Sequence, residues 1–145
     1  MSSPGDIPEL PAIPAAVTFE RLQGMLHADG YTTADGTSLR KRFPHAEIAV
    51  SLPAGNASVL LVGAVRTGPP IPHERQADME AFVNDWHRER IWPTLVLGSV
   101  DAGLTLHAFV SVDVAAGLTD AQLGEYLRIG VGTTAQCFGT LEDSE

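Results

Sequence analysis

The sequence predicts an α+β domain in which a mainly antiparallel, five-stranded sheet is packed by helices in the order α-β-β-β-α-β-β-α. Apolar residues recur at helical spacing in three segments, and five others read as strands, most by alternation and one, 58–65, apolar on both faces. The strand segments are joined by short turns rich in Gly, Pro and Asp, as neighbouring antiparallel strands require. A chain of 145 residues with 44% hydrophobic and 19% charged side chains suits one domain that buries a core without metal or disulfide.

Residues 1–17 read as a flexible leader, because Pro4, Pro8, Pro11 and Pro14 exclude a helix and favour extended polyproline-like chain. Ile7, Leu10 and Ile13 would share one face of such a segment, so its alternative resting place is an apolar groove on this domain or on a partner. The domain proper spans 18–140. Its first helix starts at Thr18, which can cap free N–H groups, carries Phe19, Leu22, Met25 and Leu26 on one stripe, and ends at Gly30. Strands follow at 38–43, stopped by Pro44, at 47–52, and at 58–65, the last apolar on both faces and so central in its sheet. After a stiff connection at 67–72, Met79, Phe82, Val83 and Trp86 mark a helix over 73–90, and Pro93 bounds it. A hairpin comes next, 94–100 and 104–114 around Asp101-Ala102-Gly103. Thr119-Asp120-Ala121-Gln122 is a capping box that opens the last helix, with Leu118 and Leu123 as its staple. Gly124, Gly130 and Gly132 weaken that helix by about 1 kcal/mol each relative to Ala. The favoured reading is a break near 130–132 with resumption to Phe138; the alternative is another backbone packed closely there. Residues 141–145 read as an acidic, frayed tail.

Nine basic against eighteen acidic residues give a net charge of −9, which repels phosphate backbones and anionic lipid. Neither nucleic acid nor a membrane is an expected partner. The N-terminus lacks the basic and apolar regions of a secretory signal, and Cys137 has no second cysteine to pair with, so a cytoplasmic, reducing location is expected. The one basic cluster, Arg40, Lys41 and Arg42, reads as an edge strand guarded by charge, with an anion-facing role as the sharper alternative.

Residues that carry chemistry are scattered. His27, His45, His73, His87 and His107 show no metal-ligand spacing, and no phosphate-binding loop or nucleophile elbow occurs. His107, Ser111 and Asp113 share a strand face, but His107 and Asp113 lie roughly 20 Å apart at about 3.3 Å per residue. Cys137 has no basic neighbour in sequence and reads as packing. No catalytic residue, metal or cofactor is expected. Trp92, His107, Phe109, Tyr126 and Gly130 are instead the candidates for a partner or dimer surface. A small-molecule or peptide site between the sheet and the last helix, using Trp92, His107 and Phe109, is the second reading, and a small hydrolase the third.

Phe82-Val83-Asn84-Asp85-Trp86-His87, Ile91-Trp92-Pro93-Thr94, Asp101-Ala102-Gly103-Leu104 and Gly117-Leu118-Thr119 together resemble the YbjN-domain family of bacterial sensory transduction regulators. Those proteins commonly show a helix ending in an Asn-x-Trp-Asn-like motif, a strand, an Asp-x-Gly turn, a second strand and a Gly-Gly-like break before a closing helix. Here His87 stands where Asn is common, and Ala116-Gly117 where two glycines are common. The resemblance covers about 18–140. It implies a fold like that of type III secretion chaperones and a non-enzymatic, homodimer-forming domain that works through contacts with a protein client or with itself. It carries over no site residue.

Overall fold

The structure, a computed structural model, describes residues 13–53 and 58–143. Three helices, α1 (Phe19–Leu26), α2 (Gln76–Glu89) and α3 (Asp120–Asp143), accompany six strands: β1 (Thr32–Asp35), β2 (Ser38–Arg42), β3 (Ala46–Ser51), β4 (Val59–Arg66), β5 (Thr94–Val100) and β6 (Gly103–Asp113). All pairings are antiparallel and the sheet order is β1-β2-β3-β4-β6-β5. The α+β expectation holds, with β4 in the interior of the sheet.

Six strands stand where five are expected. The additional one, Thr32-Thr33-Ala34-Asp35, is exposed along its whole length, so no alternation of burial marks it. Its pairing with β2 moves part of the basic cluster off the edge: Arg40 is opposite Thr32 on one side and Ala49 on the other. The edge-strand reading is therefore corrected for Arg40, which has a strand on both sides, whereas the β1 register stops there and Lys41 and Arg42 pair only with Ile48 and Glu47 of β3.

Alternation decides which side of the sheet is the core. Ile48, Val50, Leu60, Val62, Leu106, Ala108, Val110 and Val112 are buried, and their neighbours along each strand are half-buried or exposed. The helices pack on that inner face, α3 against β3, β4 and β6, α2 beside β5 and α1 beside β2. Phe138, Leu123, Leu141 and Cys137 from α3 are fully enclosed. At about 25 cal/mol per Å² of apolar surface, side chains of this size each contribute about 1.5–3 kcal/mol on burial.

The expected break in α3 is absent; the helix runs without interruption through its glycines. Tertiary burial outweighs local propensity. Gly130 faces the sheet, where a Cβ would stand 3.6 Å from Val62 Cγ2 and Val110 Cγ1, so the helix axis comes close to the strands there. The buried Thr134 hydroxyl donates to the Gly130 carbonyl at 2.7 Å. The acidic tail is also helical to Asp143: Leu141 is buried and Arg66 Nε donates to Glu142 Oε1 at 2.8 Å. Ser144 and Glu145 lie outside the described residues.

The leader expectation divides likewise. Residues 1–12 lie outside the described residues, but residues 15–17 are built into the domain. Ala15 pairs with Leu118 through bonds of 3.1 and 2.9 Å, and Val17 is buried. Arg21 spans the junction: its guanidinium donates to the carbonyls of Ala15, Ala16 and Leu118 at 2.8, 2.9 and 3.0 Å and to Asp120 Oδ1 at 2.8 Å. Gly117, at φ +80, permits this contact, since a Cβ there would lie 2.7 Å from the Ala15 oxygen. The capping box forms as its spacing predicts, with Gln122 N–H donating to Thr119 Oγ1 at 3.1 Å and Thr119 N–H to Gln122 Oε1 at 2.9 Å.

Candidate functional site

The sheet has one face that no helix covers among the described residues. Strand register assembles it row by row: Arg40, Ala49, Gly63, Phe109 and Thr94 lie side by side across five strands, and next to them Arg42, Glu47, Val65, His107 and Val96. Phe109, Val65 and Val96 are 38%, 37% and 47% exposed, unusual for large apolar side chains that alternate with a well-buried core. Ala49 and Gly63 are small, and they floor a depression of about 360 Å³ bounded by Phe109, His107, Glu47 and Arg40. Arg40 leans toward Glu47 at 3.9 Å, so the charged end of this face carries both signs.

The five candidates for a partner surface fall into three places. His107 and Phe109 belong to the open face. Trp92 and Tyr126 meet on the helix side, with ring centroids 6.3 Å apart and planes at 53°, where Leu118 and Ile129 extend a groove of about 580 Å³. The Trp92 carbonyl also accepts from Trp86 Nε1 at 3.2 Å, which ties the groove to the α2 core. Gly130 is buried under the sheet and reaches neither surface. A pocket between sheet and last helix cannot contain Trp92, His107 and Phe109 together, because the two β6 residues point away from α3. That second reading is corrected by the alternation along β6, whose buried set, including Val110, faces the helix.

The basic cluster splits too. Arg40 and Arg42 project with the open face, whereas Lys41 projects inward, its ammonium 5.3 and 5.6 Å from the Phe43 and Tyr31 ring centroids. Three histidines act as local fasteners. His87 Nε2 accepts the Leu95 N–H at 2.8 Å, which occupies an amide of the edge strand β5; His73 Nε2 lies 2.9 Å from the Val100 carbonyl and His27 Nε2 3.0 Å from Thr33 Oγ1. Among the described residues no group of three His, Cys, Asp or Glu is placed to hold a metal. Burial pushes the Cys137 thiol up to about 12 against a smaller opposing effect of Arg90, so it stays protonated at neutral pH.

Sequence reasoning missed Glu47, Ala49, Gly63, Val65 and Val96 as members of a surface. The available signal was the run of apolar residues on both faces of 58–65, which in an antiparallel sheet leaves one apolar face to be accounted for.

The family model for YbjN, described as "Putative bacterial sensory transduction regulator", matches residues 18–143. The chain belongs to the YbjN family. Among solved structures, the crystal structure of YbjN from E. coli, titled a "putative transcription regulator", is similar with a TM-score of 0.69 at 15% identity, over 86% of this chain and 91% of that one. That likeness establishes the YbjN fold and assigns no residue a role. No curated protein matches the chain. As a YbjN domain it falls in a family of regulators, and no helix among its described residues is long and apolar enough to cross a membrane.

Proposed function

We propose that this YbjN domain is a non-enzymatic regulatory module in the cytoplasm that works by protein contact, and that its open sheet face joins two copies of the chain. The observation that carries the reading is the pairing of a knob with a hole on one face: the exposed Phe109 ring stands beside the depression floored by Ala49 and Gly63. Turning a second copy about an axis along β4 sets Phe109 of each copy over Ala49 of the other and His107 opposite Glu47. Stacked sheets cross at about −30°, a rotation that shifts the ends of the strands far more than these central positions. The net charge of −9 opposes close approach of two copies, and the Glu47–His107 contacts and buried Val65 and Phe109 must overcome it. A protein client then has the Trp92–Tyr126 groove, which the dimer leaves accessible.

Sedimentation velocity tests this. The wild-type chain is expected to be a dimer at micromolar concentration, Phe109→Glu a folded monomer by its circular dichroism, and Glu47→Lys a weakened dimer restored by adding His107→Glu. A wild-type monomer at all accessible concentrations, or a dimer indifferent to Phe109→Glu, overturns the proposal.

A further inference from the structure

A cleft of about 390 Å³ opens between α1, β2 and α3, away from the open face and from the Trp92–Tyr126 groove. Its volume falls within the about 300–1,000 Å³ of small-molecule sites. Met25 and Leu26 form one wall, Tyr31 and Phe43 the second, and Leu127 and Val131 the third.

Two features make this cleft more than a gap between elements. The first is its floor. Gly124 and Gly132 both line it, and neither is required by packing: a Cβ at Gly132 would meet nothing within 4 Å, and one at Gly124 only the mobile end of Met25 at 3.5 Å. Gly130 has its close approach to the sheet, but these two weaken the helix and hold space open instead. The second is charge. Lys41 and Arg128 stand at the rim with Asp29 the one acid lining it; Glu125 beside Arg128 evens the balance, so the positive feature is the Lys41 ammonium. Arg128 is engaged by Glu125, whereas Lys41, lying over the Tyr31 and Phe43 rings, makes one hydrogen bond, to the Asp29 main-chain carbonyl at 2.7 Å, and has no carboxylate within salt-bridge distance among the described residues. Two of its three N–H donors remain for a ligand. Tyr31 is neutral at neutral pH, and burial, with Asp29 nearby, pushes its hydroxyl further up, to about 12.

We propose that this cleft binds a small amphipathic anion, its apolar body lying on Gly124 and Gly132 between α1 and α3 and its carboxylate on Lys41. This site lies on the helix side of the domain, so binding there and assembly through the open sheet face can each fail without the other.

Decanoate, titrated below its micelle-forming concentration into ¹⁵N-labelled protein, tests the assignment, with decyltrimethylammonium as the cation of equal tail. Decanoate is expected to bind saturably, shifting the amides of Gly124, Gly132 and Tyr31, and the cation is expected not to. Lys41→Met should weaken decanoate binding about tenfold, the loss of one charge-assisted contact. Asp29→Asn should strengthen it, a sign that mere damage to the fold would not produce. Gly124→Leu, checked to be folded by its amide spectrum, should abolish it. Equal binding of the cation, unsaturable shifts, or unchanged affinity in Gly124→Leu overturns the proposal.

Discussion

Replacing Gly117 by Ala tests how firmly the segment before α1 is fastened to the start of α3. At φ +80 the new side chain occupies a backbone region that costs an L-residue about 1–2 kcal/mol. The methyl group would also lie 2.7 Å from the Ala15 oxygen and 2.8 Å from its carbonyl carbon, both main-chain atoms that cannot rotate away. Relief requires Ala15 to leave Leu118, which breaks two backbone hydrogen bonds each contributing about 0.5–1.5 kcal/mol net. The expected loss is therefore about 2–5 kcal/mol, a large share of the about 5–15 kcal/mol typical of a folded domain. Urea unfolding followed by far-UV circular dichroism measures it. Arg21→Met provides the second corner of a mutant cycle, since Arg21 grips the same carbonyls of Ala15 and Leu118. Once Gly117→Ala has released Ala15, removing Arg21 should cost less than it does alone, a coupling above about 0.5 kcal/mol. A loss under about 1 kcal/mol for Gly117→Ala, or strict additivity of the two substitutions, would refute the reasoning.

The glycines of α3 should respond with opposite signs. Gly132→Ala meets open space and should stabilise by about 1 kcal/mol, raising the melting temperature by about 2–4 °C for a domain of this size. Gly130→Leu drives a side chain into Val62 and Val110 and should destabilise by about 1–3 kcal/mol, read by the same thermal melts. Tyr31 makes stability sensitive to alkali: its hydroxyl is raised from 10.0 to about 12 by burial first and Asp29 second. Between these values the unfolded chain has released a proton that the folded chain keeps, so stability falls as pH rises through that window. Tyr31→Phe should flatten that part of the curve in urea titrations at successive pH values, and an unchanged slope would show that Tyr31 is not responsible.

Burial periodicity was legible wherever one face of an element meets the core. The alternation of β6 and the α2 stripe ending at Trp86 both appear in the structure as read from the sequence. β1 was not legible because pairing alone defines it: Thr32, Thr33, Ala34 and Asp35 are exposed and make no periodic pattern. Continuity of α3 was hidden for the opposite reason. Its glycines speak locally against a helix, and only enclosure of Leu123, Leu127, Phe138 and Leu141 against a distant sheet outweighs them. For the candidate surfaces, residue type pointed to Phe109, Trp92 and Tyr126, but membership depended on which face the helices chose. Glu47, Ala49 and Gly63 enter the open face only through register with β6, and Tyr126 meets Trp92 only through tertiary packing between residues far apart in sequence.

The position of α3 in the chain has a consequence for biosynthesis. All six strands precede it, so a ribosome delivers the sheet before most of its cover. Until α3 docks, the nascent chain presents apolar residues on both sides of its sheet, the form of intermediate most inclined to recruit neighbouring chains. Release of a competent molecule thus waits on its closing helix, and a chain interrupted before Leu123 would be a substrate for cellular quality control rather than a smaller working domain.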